Sequence, residues 1–229
     1  MSETLVNPDF DRSNQGSLQG VIAQALRQFQ KNHDTCLPAT VISYDRTKNI
    51  ASVQPQIQMV AYGGNLVNRG ELATVPVFAS GGGGFVVNFP LVAGSKGWIK
   101  ANDRDISLYL QGGKATAPNT QRMHSFSDGV FYPDFGSNFT IAGEDSASAV
   151  IQNQDGSIRI SLFPTKIKMT VGGNTFEINQ TEMLATVGAN TLQIGPSTIV
   201  MTSPLINMMG EVDIIGGPLK VNGVIVTVP

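Results

Sequence analysis

What the chain lacks excludes several classes at once. It has a single cysteine, Cys36, so no internal disulfide can brace it, and Cys36 reads as a small buried side chain at the start of a strand. It has two histidines, His33 and His124, and no second His or Cys lies near His124 in sequence to complete a metal site. Charged residues make up 14% of the chain, against roughly 25% in ordinary soluble domains. The net charge of −2 gives no global pull toward nucleic acid or anionic lipid, so no nucleic-acid partner is expected. No run of about eighteen apolar residues occurs, which excludes a membrane-spanning helix. Residues 1–11 are polar and acidic, unlike a secretory leader, and the chain reads as made in the cytosol.

Catalytic patterns are equally scarce. The run Gly81 to Gly84 is followed by Phe85, Val86 and Val87, a strand, whereas a phosphate-cradling loop needs a helix there; the run is expected to be a hairpin loop. Asp103-Arg104-Asp105 is expected to be a turn with a local ion pair rather than a convergent carboxylate pair. Glu144-Asp145, and Glu177 with Glu182, read as solvated. Ser125, His124 and Asp128 are close in sequence, but a triad needs three groups brought together by the fold. No catalytic residue, cofactor or metal is expected, and the chain does not read as an enzyme.

What is present is glycine, 25 residues of it, and a strand-like beat. In the last third, residues 149–229, Ile167, Met169 and Val171 alternate with Lys166, Lys168 and Thr170, the period of a strand with one buried face. The beat recurs at Phe176 and Ile178, Leu192 and Ile194, Ile199 and Met201, Val212 and Ile214, then Leu219 and Val221. Glycines punctuate it, and Gly156, Gly172 and Gly188 are spaced by sixteen residues. No helical pattern is available to cover the apolar face, so identical chains are expected to supply the cover as a homotrimer.

Upstream, residues 1–36 read as a polar tail and an amphipathic helix. Ser17 is the expected N-cap, Leu18, Val21, Ile22, Ala25, Leu26 and Phe29 form the apolar stripe, and Arg27, Lys31 and His33 suit its C-terminal end. Residues 37–111 read as a small closed barrel, with strands at 39–44, 50–59, 72–79, 85–89, 97–101 and 106–110. Residues 112–148 read as a connector pinned by Phe126, Phe131, Tyr132, Phe135 and Phe139.

This order of parts resembles the membrane-piercing central spike proteins of contractile bacteriophage tails. The resemblance is carried by LPATVISYDRTKNIASVQP from Leu37, ELATVPVF from Glu71, GWIKANDRDISLYL from Gly97 and, most specifically, HSFSDGVFYPDF from His124. It implies an all-β fold with one short N-terminal helix: an oligosaccharide/oligonucleotide-type barrel (OB-type), then an intertwined triple-stranded β-helix needle. It also implies a virion location at the baseplate tip, tail hub or tube proteins at the base, and transient contact with the host outer membrane. Some members of that family hold iron at the point through His-X-His. Here both histidines precede the needle, so no tip iron is expected. Val224, Ile225, Val226 and Val228 are the tip candidates, and the point is either packed by apolar side chains alone or capped by a separate small protein. The alternatives are a trimeric tail fibre or adhesin that binds a surface glycan, and the spike of a related contractile secretion system.

Overall fold

The first helix is set by its cap. In the computed structural model, which describes residues 16–31, 33–60, 64–136 and 139–207 with the backbone of 220–221 and 224–225, the Ser17 hydroxyl accepts from the Gly20 N–H at 3.1 Å. Helix α1 (Leu18–Lys31) follows, and its stripe of Leu18, Val21, Ile22, Leu26 and Phe29 is exposed. The chain divides into two compact units, Met1–Asn138 and Phe139–Pro229.

The first unit is built on short alternating strands: β1 (Cys36–Asp45), β2 (Ile50–Pro55), β3 (Met59–Val60), β4 (Leu66–Val67), β5 (Leu72–Pro76), β6 (Ser80–Gly82), β7 (Phe85–Val87) and β8 (Lys96–Asn102), then helix α2 (Ser107–Gly112) and β9 (Ser125–Pro133). Five of them form one sheet in the order β5-β2-β1-β8-β9. A parallel bridge between Val77 and Phe131 joins its two ends, with the Phe78 N–H donating to the Phe131 carbonyl at 2.8 Å. The result is a nearly closed barrel of the OB type. Inward positions of β1 and β2 (Ala39, Val41, Ala51, Val53) meet Val75, Val77, Ile99, Phe126 and Phe131 in its core. Glycine at 97 permits that closure, since a Cβ there would lie 2.5 Å from the Phe131 ring and 2.3 Å from the Tyr132 carbonyl.

Four sequence expectations change here. Residues 106–110 are not a strand but the N-cap and first turn of helix α2: Asp105 Oδ1 accepts from the Ser107 N–H at 2.9 Å in a turn that leads into it, and Gly113 closes it with φ +62. Strand 50–59 is interrupted after Pro55, and β3 pairs instead with β4. The region 112–148 is not connector throughout: β9 pairs with β8, placing Phe126 and Phe131 inside the barrel, while Tyr132 stacks on Phe78 with ring centroids 4.8 Å apart. Cys36 does begin β1, but half-buried rather than buried.

The segment between α2 and β9 is tied down by charge. Arg122 reaches two buried carboxylates, Asp105 at 3.3 Å and Asp128 at 2.9 Å, so the partner of Asp105 is Arg122 and not the neighbouring Arg104. Hydrogen bonding to Ser107, then to Thr120, with the Arg122 charge adding to both, lowers the Asp105 carboxyl from the usual 3.8 to about 2.

The second unit opens with a 3-10 turn (Gly143–Asp145) and continues as β10 (Ala149–Gln152), β11 (Ile158–Leu162), β12 (Lys166–Val171), β13 (Asn174–Asn179), β14 (Met183–Val187), β15 (Asn190–Ile194) and β16 (Ile199–Thr202). These seven pair in sequence order as an antiparallel meander, and β17 (Lys220–Val221) pairs separately with β18 (Val224–Ile225). The backbone ladder of these strands thus runs between sequence neighbours of one chain. Two-residue loops at Gly172-Gly173 and Gly188-Ala189 join β12 to β13 and β14 to β15, with φ +58 at each first glycine.

Two measurements check these assignments. Because folding lowers the Asp105 pKa, its contribution is complete above about pH 4 and is lost as pH falls toward 2; Asp105→Asn should flatten that part of an acid-unfolding curve. Gly188→Ala places a Cβ in the left-handed region and should cost about 1 kcal/mol, whereas Gly173→Ala, with open space and no such φ, should leave thermal stability unchanged.

An apolar sheet face as the candidate functional site

The pairing register of the meander decides which residues share a face. Ile151, Ile160, Met169, Phe176, Ala185, Leu192 and Met201 form one row across all seven strands. A second row holds Ala149, Leu162, Ile167, Ile178, Met183, Ile194 and Ile199. Val171, two residues along β12 from Met169, lies on the same face. Nine of the core candidates are therefore brought together: Ile167, Met169, Val171, Phe176, Ile178, Leu192, Ile194, Ile199 and Met201. Val221 lies in β17, and Val224 and Ile225 lie in β18. Val212, Ile214, Leu219, Val226 and Val228 lie outside the described residues.

This apolar face is the bare one. Ile167 is 47% exposed and Met169 43%, while on the opposite face Ser161 is 0% and Thr170 4% exposed. Full burial of such a side chain contributes about 1.5–3 kcal/mol, so covering a half-exposed one adds roughly 1 kcal/mol. Over the eight large side chains of the two rows that are exposed (Ile151, Ile160, Leu162, Ile167, Met169, Ile178, Ile199 and Met201) this is roughly 8 kcal/mol per chain, an upper figure because the unfolded reference is itself partly compact. A contiguous apolar surface of this kind is what an interaction site presents.

The opposite face is mostly polar, with Val150, Leu184 and Val200 its apolar members, and its charges are served by the chain itself. Arg159 Nε lies 2.7 Å from the buried Asp145 Oδ2, Arg159 also pairs with Glu144, and Lys168 donates to Glu144 at 2.8 Å. The Lys168 hydrogen bond, helped by its charge and that of Arg159, pulls the Glu144 carboxyl below the usual glutamate range. Lys166 pairs with Glu177 at 3.0 Å, and Gln193 donates to Glu182. The reading of these four acids as solvated is thus corrected: each is held by a cation or an amide on the sheet. A line of threonines, Thr170, Thr175, Thr186, Thr191 and Thr202, crosses five strands of this face. The sequence reading did not find it. The signal was available in the sixteen-residue spacing of Thr170, Thr186 and Thr202, and of Thr175 and Thr191, which matches that of the glycines.

A second place in the fold merits description. A cavity of about 560 Å³ lies beside the end of α1, lined among others by His33, Asp34, Cys36, Met59, Arg69 and Phe126. Beside it the two histidines, distant in sequence, meet with ring centroids 3.7 Å apart and planes tilted by 32°, and His124 Nδ1 lies 3.7 Å from Asp103 Oδ1. His124 is therefore not isolated. Asp34 accepts from Arg69 Nη1 at 2.9 Å and from the Phe126 N–H at 3.2 Å, so it closes the barrel end. Among the described residues no three His, Cys, Asp or Glu side chains converge on a metal position. Asp128 is held by Arg122 and is not aligned through His124 with Ser125 as a triad would require.

Together these features define an all-β protein in which an OB-type barrel accompanies a meander with one uncovered apolar face. Residues 37–134 match the family model described as the phage protein Gp138 N-terminal domain. The matched span runs from β1 past the end of β9, so it includes the strand that sequence reading had placed in a connector. The match, which covers fewer than half of the residues, supports a phage structural protein, virion-associated and with a tail- or baseplate-related role. A search of curated proteins finds no match.

The two faces should respond differently to charge. Met169→Glu, in the middle of the apolar row, should abolish self-association of the full chain, and Thr186→Glu on the opposite face should preserve it; sedimentation equilibrium of the two variants reads the difference.

Proposed function

We propose that the chain is the cell-puncturing spike at the tip of a contractile phage tail, acting as a homotrimer and without catalysis. The observation that carries this reading is the pair of unbroken seven-residue apolar rows, bare in the single chain, on the unit that follows a phage-type barrel. Three copies that turn these faces inward form a shaft with an apolar axis and a threonine-lined exterior. Such a shaft draws most of its stability from contacts between chains, so it resists unfolding as a unit. The barrel unit then forms the base that meets the tail hub or tube, and the far end of the shaft is the point driven through the host outer membrane when the sheath contracts. The point itself is closed by apolar side chains or by a small capping protein.

The decisive measurement is the mass in solution. Sedimentation equilibrium of the full chain should give three times 24.3 kDa, and a stable monomer at micromolar concentration overturns the proposal.

A further inference from the structure

The barrel unit carries its own uncovered apolar feature, at a distance in sequence from the shaft. The β6–β7 hairpin is bare: Phe85 is 85% exposed, and Val86 and Val87, whose side chains alternate between its two faces, are both exposed, as is the following Phe89. No charged residue occurs between Glu71 and Lys96, so the whole arm is neutral.

It is nonetheless held in place. Gly83 and Gly84 have φ +60 and +89, the pattern of a tight primed turn. On the outgoing leg, Asn88 Nδ2 donates to Tyr44 Oη at 3.0 Å and to Asn49 Oδ1 at 3.1 Å, and Arg46 Nε donates to Asn88 Oδ1 at 3.0 Å. On the incoming leg, Phe78 stacks on Tyr132 and its N–H donates to Phe131. Both legs are fastened to the barrel while the apolar end is presented to solvent, which lowers the ordering cost of docking it.

A matching surface exists on the same unit. The β3–β4 hairpin exposes Met59, Val60, Leu66 and Val67, with Ile57 beside it, and no charge falls between Lys48 and Arg69. A two-fold dimer needs one self-complementary patch, whereas a closed ring of three needs two different ones, a donor and an acceptor.

We propose that the β6–β7 hairpin is an assembly arm that docks on the β3–β4 hairpin of a neighbouring copy of this chain, repeated head to tail around the trimer. This rests on the trimeric reading above and adds a contact at the level of the barrels. The partner is a second copy rather than a lipid surface because the arm contains no Trp, Tyr, Lys or Arg, the residues that seat a loop at a bilayer interface.

The test is photo-crosslinking of the full-length protein with a benzophenone-bearing phenylalanine in place of Phe85. Covalent dimers and trimers on a denaturing gel are expected, with adducts mapped by mass spectrometry to residues 57–60 or 64–67. Adducts confined to the same chain, adducts elsewhere on a neighbouring copy, no adducts, or adducts formed only with added phosphatidylcholine–phosphatidylglycerol vesicles overturn the arm. Sedimentation of the same sample separates the two ideas: three chains without the expected adduct sinks the arm alone, and a monomer sinks both. As a second arm of the experiment, the Phe85→Ser, Val87→Ser double variant should raise hydrogen exchange of β3 about tenfold while the mass stays that of three chains. Unchanged exchange overturns the proposal.

Discussion

An antiparallel sheet has two faces, and the second unit can satisfy only one of them from its own sequence. The polar face receives a strap from the same chain, with Asp145 against Arg159 and Glu144 between Arg159 and Lys168. The apolar face receives nothing comparable among the described residues of that unit: Ile151, Ile167, Met169, Ile199 and Met201 remain open across the sheet. Such an arrangement would be a defect in a monomer, since it leaves roughly the stability of an ordinary domain unrealised. In the trimer proposed above, the same face would make the folded unit dependent on its neighbours, and the functional reading of this chain descends from that dependence.

The barrel obeys the opposite rule. Its sheet meets itself through Val77 and Phe131, its core is filled from both ends of the matched segment, and its buried charges are paired within the unit. β1, β2 and β8 were legible because each alternates apolar and polar residues about one buried face, although their pairing is long-range. β9 was not. Its sequence, Ser-Phe-Ser-Asp-Gly-Val-Phe-Tyr-Pro, holds a glycine and an aspartate at positions that look like turn chemistry. The fold uses them otherwise: Gly129 lets Ile99 approach within 2.8 Å of where a Cβ would sit, and Asp128 is neutralised by Arg122. α2 was misread for the converse reason, because Ile106, Leu108 and Leu110 alternate by chance while the aspartate before them forms a local turn with the Ser107 N–H.

Side-chain parity in the second unit was more legible than pairing. Alternation identifies which residues share a face without identifying the partner strand, so nine of the core candidates are found on one surface although the ladder between them is intrachain. The contact between the two histidines shows the limit of sequence proximity as evidence. His33 and His124 lie at the end of a helix and at the entrance to β9, and only the closure of the barrel brings them into contact.

The glycines that make this unit look flexible are what keep its apolar face continuous. A shift of one residue in any strand would send its side chains to the wrong face. Two-residue loops prevent it: Gly172 and Gly188 adopt a φ that few other residues tolerate, so β12 pairs with β13 and β14 with β15 in one register each. With the turns repeating every sixteen residues, Met169, Ala185 and Met201 fall in one row while Thr170, Thr186 and Thr202 fall on the other side. Turn chemistry thus sets parity, and parity sets the continuity of the apolar rows that the proposed trimer requires along its whole length. Charge contributes little to that continuity in a chain whose charged fraction is 14%; it is carried by the timing of the turns.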